Sequence, residues 1–197
     1  MNRNNLAPSD GELYLVRHFY GSERADRLFA ILLESLAWQE EDIVVFGRPV
    51  KVPRLMCWYG DPDASYTYSG VKHDPLPWTE TLNSVRRHVE QICRHPFNSV
   101  LANLYRDGRD SMGWHADNEK ELGINPVIAS FSLGDERLFR LSHNKTKEKL
   151  DIVLGHGDLL IMAGALQHHW RHSVPKTKQP KMRRINLTFR QIIRVSN

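Results

Sequence analysis

From Asn98 to its end the chain is cut into short apolar stretches by turn-forming residues, and this regular interruption constrains the fold more than any other feature. Ser99 to Tyr105 alternates, placing Asn103 and Tyr105 on one side. Arg106 to Gly113 then turns the chain into Trp114-His115-Ala116-Asp117-Asn118-Glu119. Pro126 to Leu133 and Arg137 to Leu141 follow, joined by Gly134-Asp135-Glu136, which predicts a hairpin. Lys149 to Leu154 and Asp158 to Met162 flank Gly155-His156-Gly157, and Arg183 to Val195 closes the chain. Roughly seven or eight short strands at this spacing predict a β-sandwich or jelly roll. Neither an internal repeat nor a dinucleotide or P-loop glycine pattern is present.

The first half reads differently. Ser22 is a candidate N-cap for a helix in which Ala25, Leu28, Phe29, Leu32 and Leu36 recur at helical spacing. Asp42 to Leu55 predicts two short strands about Gly47-Arg48-Pro49, with Pro53 confining the second to an edge. Phe46 stands at the tip of this hairpin, either folded back on the protein or free to act as a wedge in a base stack. Trp58 to Asp63 has turn chemistry. Ser65-Tyr66-Thr67-Tyr68-Ser69-Gly70 predicts an aromatic strand whose Tyr66 and Tyr68 share a face, as core residues or as a stacking platform. A second helix is expected from Thr79 to Arg94, with Leu82, Val85, Val89 and Ile92 on its buried stripe and Pro96 ending it.

With 197 residues the chain is long enough to bury one sizeable core without a metal or disulfide staple. Residues 1–10 are expected to form a flexible end. No apolar run is long enough to span a bilayer, and no apolar signal segment opens the chain, so Cys57 and Cys93 are expected as reduced thiols in a protein that is not secreted. The net charge of +4 and pI near 9.1 permit a nucleic-acid partner without requiring one. Lys176, Lys178, Lys181, Arg183 and Arg184 cluster late, and Arg86, Arg87 and Arg94 mark the second helix; solvated faces explain such clusters equally well.

The chemistry concentrates at two places. His115 and Asp117, two apart on extended backbone, point to one side and can reach one metal ion; with His172 they would form a three-ligand face with open positions opposite, the arrangement of non-haem Fe(II) oxygenases. A surface turn with a solvated aspartate is the alternative. In Arg184-Ile185-Asn186-Leu187-Thr188-Phe189-Arg190, a period of two sends Ile185, Leu187 and Phe189 to one face and Arg184, Asn186, Thr188 and Arg190 to the other. Inside a barrel those arginines need anions, and a dicarboxylate with hydrogen bonds from Asn103 and Tyr105 would serve; a solvated charged face is the rival.

His115-Ala116-Asp117, His172-Ser173-Val174-Pro175 and Arg184 to Arg190 together resemble the AlkB family of Fe(II)- and 2-oxoglutarate-dependent dioxygenases. The likeness runs back through Phe46-Gly47-Arg48 and the Tyr66 segment to about residue 40, and is closer to the branch containing the human DNA-repair homologues. It implies an α+β protein: a double-stranded β-helix (jelly-roll) core over 99–197, with two supporting helices and an N-terminal α/β nucleotide-recognition lid over 11–98, packed as one unit. It implies Fe(II) on His115, Asp117 and His172, with His168 and His169 as rival ligands, and 2-oxoglutarate held by Asn103, Tyr105, Arg184, Asn186, Thr188 and Arg190. Phe46, Gly47 and Arg48 match the hairpin finger, and Tyr66, Thr67 and Tyr68 the residues that grip an extruded base. Asn118 stands where better-known members carry an acidic base contact, followed by Glu119, which leaves base preference open.

The implied reaction uses dioxygen to decarboxylate 2-oxoglutarate to succinate and carbon dioxide and to hydroxylate an N-methyl group, which leaves as formaldehyde. The implied substrates are 1-methyladenine and 3-methylcytosine in alkylated DNA, with RNA, protein or lipid, or nucleic-acid binding without turnover, as alternatives. Salt-dependent phosphate contacts from Arg48 and Lys51 are expected. A monomer without an obligate protein partner is expected, cytoplasmic in a bacterium or nuclear in a eukaryote.

Overall fold

The computed structural model describes residues 4–45, 48–64, 66–68 and 71–193. In chain order the strands and helices are β1 (Glu12–Val16), α1 (Ser22–Ser35), β2 (Asp42–Val45), β3 (Arg48–Lys51), β4 (Leu55–Gly60), β5 (Tyr66–Tyr68), β6 (Val71–His73), β7 (Leu76–Pro77) and α2 (Glu80–Cys93). The second half contributes β8 (Ser99–Tyr105), β9 (Met112–His115), β10 (Ile128–Gly134), β11 (Arg137–His143), β12 (Lys149–Leu154), β13 (Leu159–Ala163), α3 (Leu166–His169), β14 (Trp170–Val174) and β15 (Arg184–Arg190).

Two sheets face each other across the interior. The larger has the order β1-β13-β10-β15-β8-β4-β7, the smaller β12-β11-β14-β9, and β2-β3 and β5-β6 are separate two-stranded ribbons. This is the expected α+β jelly roll, but its connections differ from a chain of hairpins. β10 pairs with β13 and β15 while β11 pairs with β12 and β14, so Gly134-Asp135-Glu136 carries the chain from one sheet to the other. Gly134 makes that corner with φ +86°, and a Cβ there would stand 2.3 Å from the Arg183 carbonyl oxygen.

The outer face of the larger sheet is closed by the helices. Ala25, Leu28 and Leu32 of α1 and Leu82, Val85 and Val89 of α2 pack with Phe131, Ile185, Leu187 and Phe189 in one buried cluster. Each of these side chains except Ala25 contributes on the order of 1.5–3 kcal/mol by leaving water. Thr79 caps α2, its Oγ1 accepting the Leu82 N–H at 3.1 Å. Ser22 does not cap α1: Gly21 takes that place, without a side-chain bond. A second cluster, including Leu13, Phe139, Leu141, Leu160, Met162 and Trp170, fills the space between the sheets.

Three further expectations change. Residues 4–10, assigned by composition to a flexible end, lie against the core, with Ala7 buried and the Trp170 Nε1–H donating to the Ser9 carbonyl at 3.0 Å. The second strand of the predicted hairpin stops at Lys51. Trp58, Tyr59 and Gly60, read as a turn, belong to buried strand β4, because pairing with β8 outweighs their turn chemistry. Among the described residues no helix is long and apolar enough to cross a membrane.

Candidate active site

The smaller sheet brings the two histidines together. His115 ends β9 and is the direct strand partner of His172 on β14, with ring centroids 4.2 Å apart. Asp117 comes from the loop beyond β9, since the strand stops at His115; the two-residue alternation that predicted a shared side therefore does not apply, although the carboxylate still reaches the same point. One donor atom from each of His115, Asp117 and His172 lies within 4.8 Å of the others. The His115 Nδ1–H donates to the Gly113 carbonyl at 2.9 Å, which leaves Nε2 with its lone pair. His172 is stacked on Phe139 at 5.1 Å.

The electrostatics suit metal donation. Burial raises the Asp117 pKa, but Arg190, His172 and His115 outweigh it and bring the carboxyl to about 2. Burial, reinforced by His115 and Arg190 and opposed by Asp117, pushes His172 down to about 3, so its ring is neutral. A carboxylate and neutral imidazoles are the forms that bind a divalent cation. The rival histidines are engaged elsewhere: His168 Nε2 bonds the Ile124 carbonyl, and His169 stacks parallel to His143. Asp10, His143 and His169 form a second His-Asp-His group. There His143 Nδ1 accepts the N–H of Lys145 and Thr146, which puts the proton on Nε2 facing Asp10, the wrong tautomer for a ligand on that side.

Next to the triad runs the polar row of β15. All seven residues of this strand are buried, the apolar three toward the helices and the polar four toward the interior. Direct pairing sets Arg184 opposite Tyr105 and Asn186 opposite Asn103. Arg184 Nη2 donates to Ser132 Oγ at 2.9 Å, Asn186 Nδ2 to Ser130 Oγ at 2.8 Å, Thr188 Oγ1 to Asn186 Oδ1 at 2.9 Å, and Arg190 Nη2 to Asp117 Oδ1 at 2.8 Å. Asn103 Oδ1 accepts Arg54 Nε at 2.6 Å. Two Arg184 donors, Nε and Nη1, are buried without a well-formed hydrogen bond among the described residues, with the Tyr105 side chain beside them. Its guanidinium lies 5.1 Å from the centre of the Tyr105 ring, and Arg137 lies 5.4 Å from the same ring. Burial drives the Arg184 pKa to about 10, assisted by Arg137 and opposed by Tyr105. A buried cation with idle donors beside a candidate metal face fits a bound carboxylate; the narrow pocket that Arg184 shares with Asn103, Tyr105 and the triad holds about 30 Å³.

A wider cleft of about 280 Å³ opens onto the same centre, lined by His115, Asp117, Arg190, Arg54, Met56, Trp58, Leu76, Leu101 and Glu119 among others. Glu119 Oε2 is buried and has no hydrogen-bond partner among the described residues. Asn118 is exposed and absent from the cleft wall, whereas Glu119, one residue later, lines it. The loop past Asp117 turns successive side chains to opposite sides, which spacing alone does not reveal. Phe46 and Gly47 lie outside the described residues. Arg48 opens β3, and Tyr66, Thr67 and Tyr68 form β5, paired with β6. Sequence reasoning missed Arg54, Trp58, Ser130, Ser132 and Gln167. Arg54 follows a proline and Trp58 lay in the misread turn, while the two serines alternate with Ala129 and Phe131 on β10 and were visible as its polar face.

An open three-donor face and an unsatisfied guanidinium sharing one interior are what an iron oxygenase that uses a keto-dicarboxylate requires. Residues 12–190 match the 2OG-Fe(II) oxygenase superfamily. The chain is 38% identical over 184 residues to bovine alpha-ketoglutarate-dependent dioxygenase alkB homolog 3, covering 88% of this chain and 64% of that protein. It is 37% identical over 185 residues to human DNA oxidative demethylase ALKBH2, covering 88% and 71% respectively. The solved structure of OsALKBH1 shares the fold, with a TM-score of 0.64 at 19% identity over 91% of this chain and 97% of that one. The chain thus belongs to the AlkB family of 2OG-Fe(II) oxygenases, and it spans slightly less than two thirds of the first of these relatives.

Proposed function

We propose that this protein is an Fe(II)- and 2-oxoglutarate-dependent dioxygenase that removes methyl groups from ring nitrogens of nucleobases, with 1-methyladenine and 3-methylcytosine in alkylated DNA as substrates. The observation that carries the substrate reading is Glu119, which lines the cleft leading to His115 and Asp117 and whose Oε2 has no hydrogen-bond partner among the described residues. These two methylated bases are cations, and a half-buried carboxylate on the cleft wall favours a cationic guest over a neutral one.

Iron, 2-oxoglutarate and dioxygen together supply an oxidant that hydroxylates a methyl C–H bond, with succinate and carbon dioxide as by-products. The protein holds and aims. His115, Asp117 and His172 would hold the metal. Arg184, with its idle Nε and Nη1 donors and Tyr105 alongside, would hold the distal carboxylate of the cosubstrate, while Asn103, Asn186 and Thr188 would form the pocket wall. Arg190 keeps Asp117 ionised. Trp58, Met56, Leu101 and Leu76 give the cleft apolar walls that receive an extruded base and exclude water. A methyl group on the pairing edge weakens pairing and lowers the cost of extrusion. Phe46, Gly47 and Arg48 as the finger, and Tyr66, Thr67 and Tyr68 as the grip, complete the reading. The protein acts as a monomer in the cytoplasm of a bacterium or the nucleus of a eukaryote.

Formaldehyde release from methylated DNA, methylated RNA and a methylated peptide tests this. Release from DNA carrying 1-methyladenine or 3-methylcytosine, lost in His115→Ala, is expected. Release from the peptide alone would overturn the reading, and faster release from RNA would move the substrate to RNA.

A further inference from the structure

The backbone of Asp117 is held by a side chain that neither its sequence spacing nor the metal chemistry calls for. Because the β9 ladder stops at His115, the Asp117 N–H is buried beyond the reach of strand pairing. Gln167 Oε1 accepts it at 2.9 Å. Gln167 is itself 2% exposed. A backbone N–H can only donate, so the amide oxygen must face it and the side chain cannot flip; its Nε2 is turned instead toward Met162 Sδ, 3.6 Å away.

The position of Gln167 gives this bond its meaning. It lies in α3, which runs directly into β14 and His172. One hydrogen bond therefore ties the loop bearing Asp117 to the segment bearing His172. That segment is firmly seated: Leu166 and Trp170 are each 1% exposed. A Cβ on Gly11 would come 2.7 Å from Leu166 Cδ1, so the amino-terminal strap lies directly on α3. On its other side Asp117 is pulled by Arg190, whose Nη2 sits 2.8 Å from Oδ1, while Oδ2 is 3.8 Å from His172 Nε2. Without that anchor the carboxylate could turn its second oxygen onto the guanidinium as well and away from the histidines.

We infer that Gln167 is a positioning residue for the metal face: its amide oxygen fixes the Asp117 backbone so that the carboxylate stays between Arg190 and the two histidines. The inference rests on the reading of Asp117 as a metal ligand. Groups that orient a ligand in this way typically cost about 10- to 100-fold in metal affinity when removed.

Mn(II) is the probe, with binding followed by the loss of the free aquo-ion resonance and no cosubstrate or turnover involved. Gln167→Met keeps the volume and removes the acceptor. Its dissociation constant for Mn(II) is expected to rise about 10- to 100-fold, with faster amide exchange at Asp117 than in the wild type. A folded Gln167→Met protein whose Mn(II) affinity stays within about threefold of wild type would overturn the inference. Should that variant fail to fold, amide exchange in the metal-free wild type decides: a protected Asp117 N–H supports the inference, and one exchanging at the unprotected rate sinks it. Asp117→Ala separates the two readings. If it binds Mn(II) as well as wild type, the metal-site reading fails; if it loses binding while Gln167→Met does not, only the role of Gln167 fails.

Discussion

Arg184→Met pulls stability and cosubstrate binding in opposite directions. Arg184 is 1% exposed and donates to Ser132 Oγ, while its Nε and Nη1 have no well-formed hydrogen bond among the described residues, with Tyr105 alongside. Burial depresses its pKa from the ordinary guanidinium range to about 10, so above that pH the native state binds fewer protons than the unfolded state. The resulting penalty is fully present below pH 10 and fades as pH rises through the ordinary guanidinium range; it amounts to about 3 kcal/mol. Methionine of similar reach removes the buried charge, at a cost of about 1 kcal/mol for the lost serine bond. At pH 7.5 the cosubstrate-free variant should gain about 2 kcal/mol in urea denaturation. Binding should move the other way: two charge-assisted hydrogen bonds of about 1.5 kcal/mol each make 2-oxoglutarate bind about a hundredfold more weakly. Calorimetric titration of 2-oxoglutarate into the Mn(II)-loaded protein measures this. A variant that is less stable than wild type and binds 2-oxoglutarate as well would refute the assignment of Arg184 to an anion.

Other perturbations have equally definite outcomes. His172, held neutral down to about pH 3, should make the metal-free protein lose stability as pH falls from 6.5, where the unfolded histidine begins to charge, with a slope of about 1.4 kcal/mol per pH unit; denaturation curves of wild type and His172→Phe should differ by this one-proton slope. Glu119→Gln should slow demethylation of cationic 1-methyladenine about tenfold or more while sparing a neutral methylated base, measured as kcat/KM on both substrates; equal losses would remove its electrostatic role. Thr79→Ala should cost about 1 kcal/mol through loss of the α2 cap and leave Mn(II) affinity unchanged. Burial pushes the Cys57 thiol in the cleft wall up to about 12, so it should resist alkylation at pH 8 in the folded protein, as read by mass spectrometry.

Local periodicity was enough to read the β-rich second half, the two amphipathic helices and the two-faced β15, because burial on alternate or helical positions writes itself directly into residue type. The turn chemistry around Trp58 misled for the opposite reason: a strand paired within a sheet takes its conformation from its neighbours, and Gly60 and Asp61 signal a bend that begins only where β4 ends. The same limit hid the crossover at Gly134. A glycine-rich tight turn looks alike whether it joins partners in one sheet or changes sheets, since the distinction lies in which strands bond to β10 and β11.

By itself the sequence determined which atoms are available: two imidazoles and a carboxylate, two arginines on the polar side of one strand, and an apolar face to seat it. Their arrangement was decided only in three dimensions. His115 meets His172 because β9 and β14 are neighbours, Asp117 is fixed by an amide 50 residues away, and Glu119 rather than Asn118 enters the cleft. Residue type is a property of each position alone, whereas convergence, orphaned donors and shifted pKa values arise from groups distant in the chain being forced into one water-poor interior.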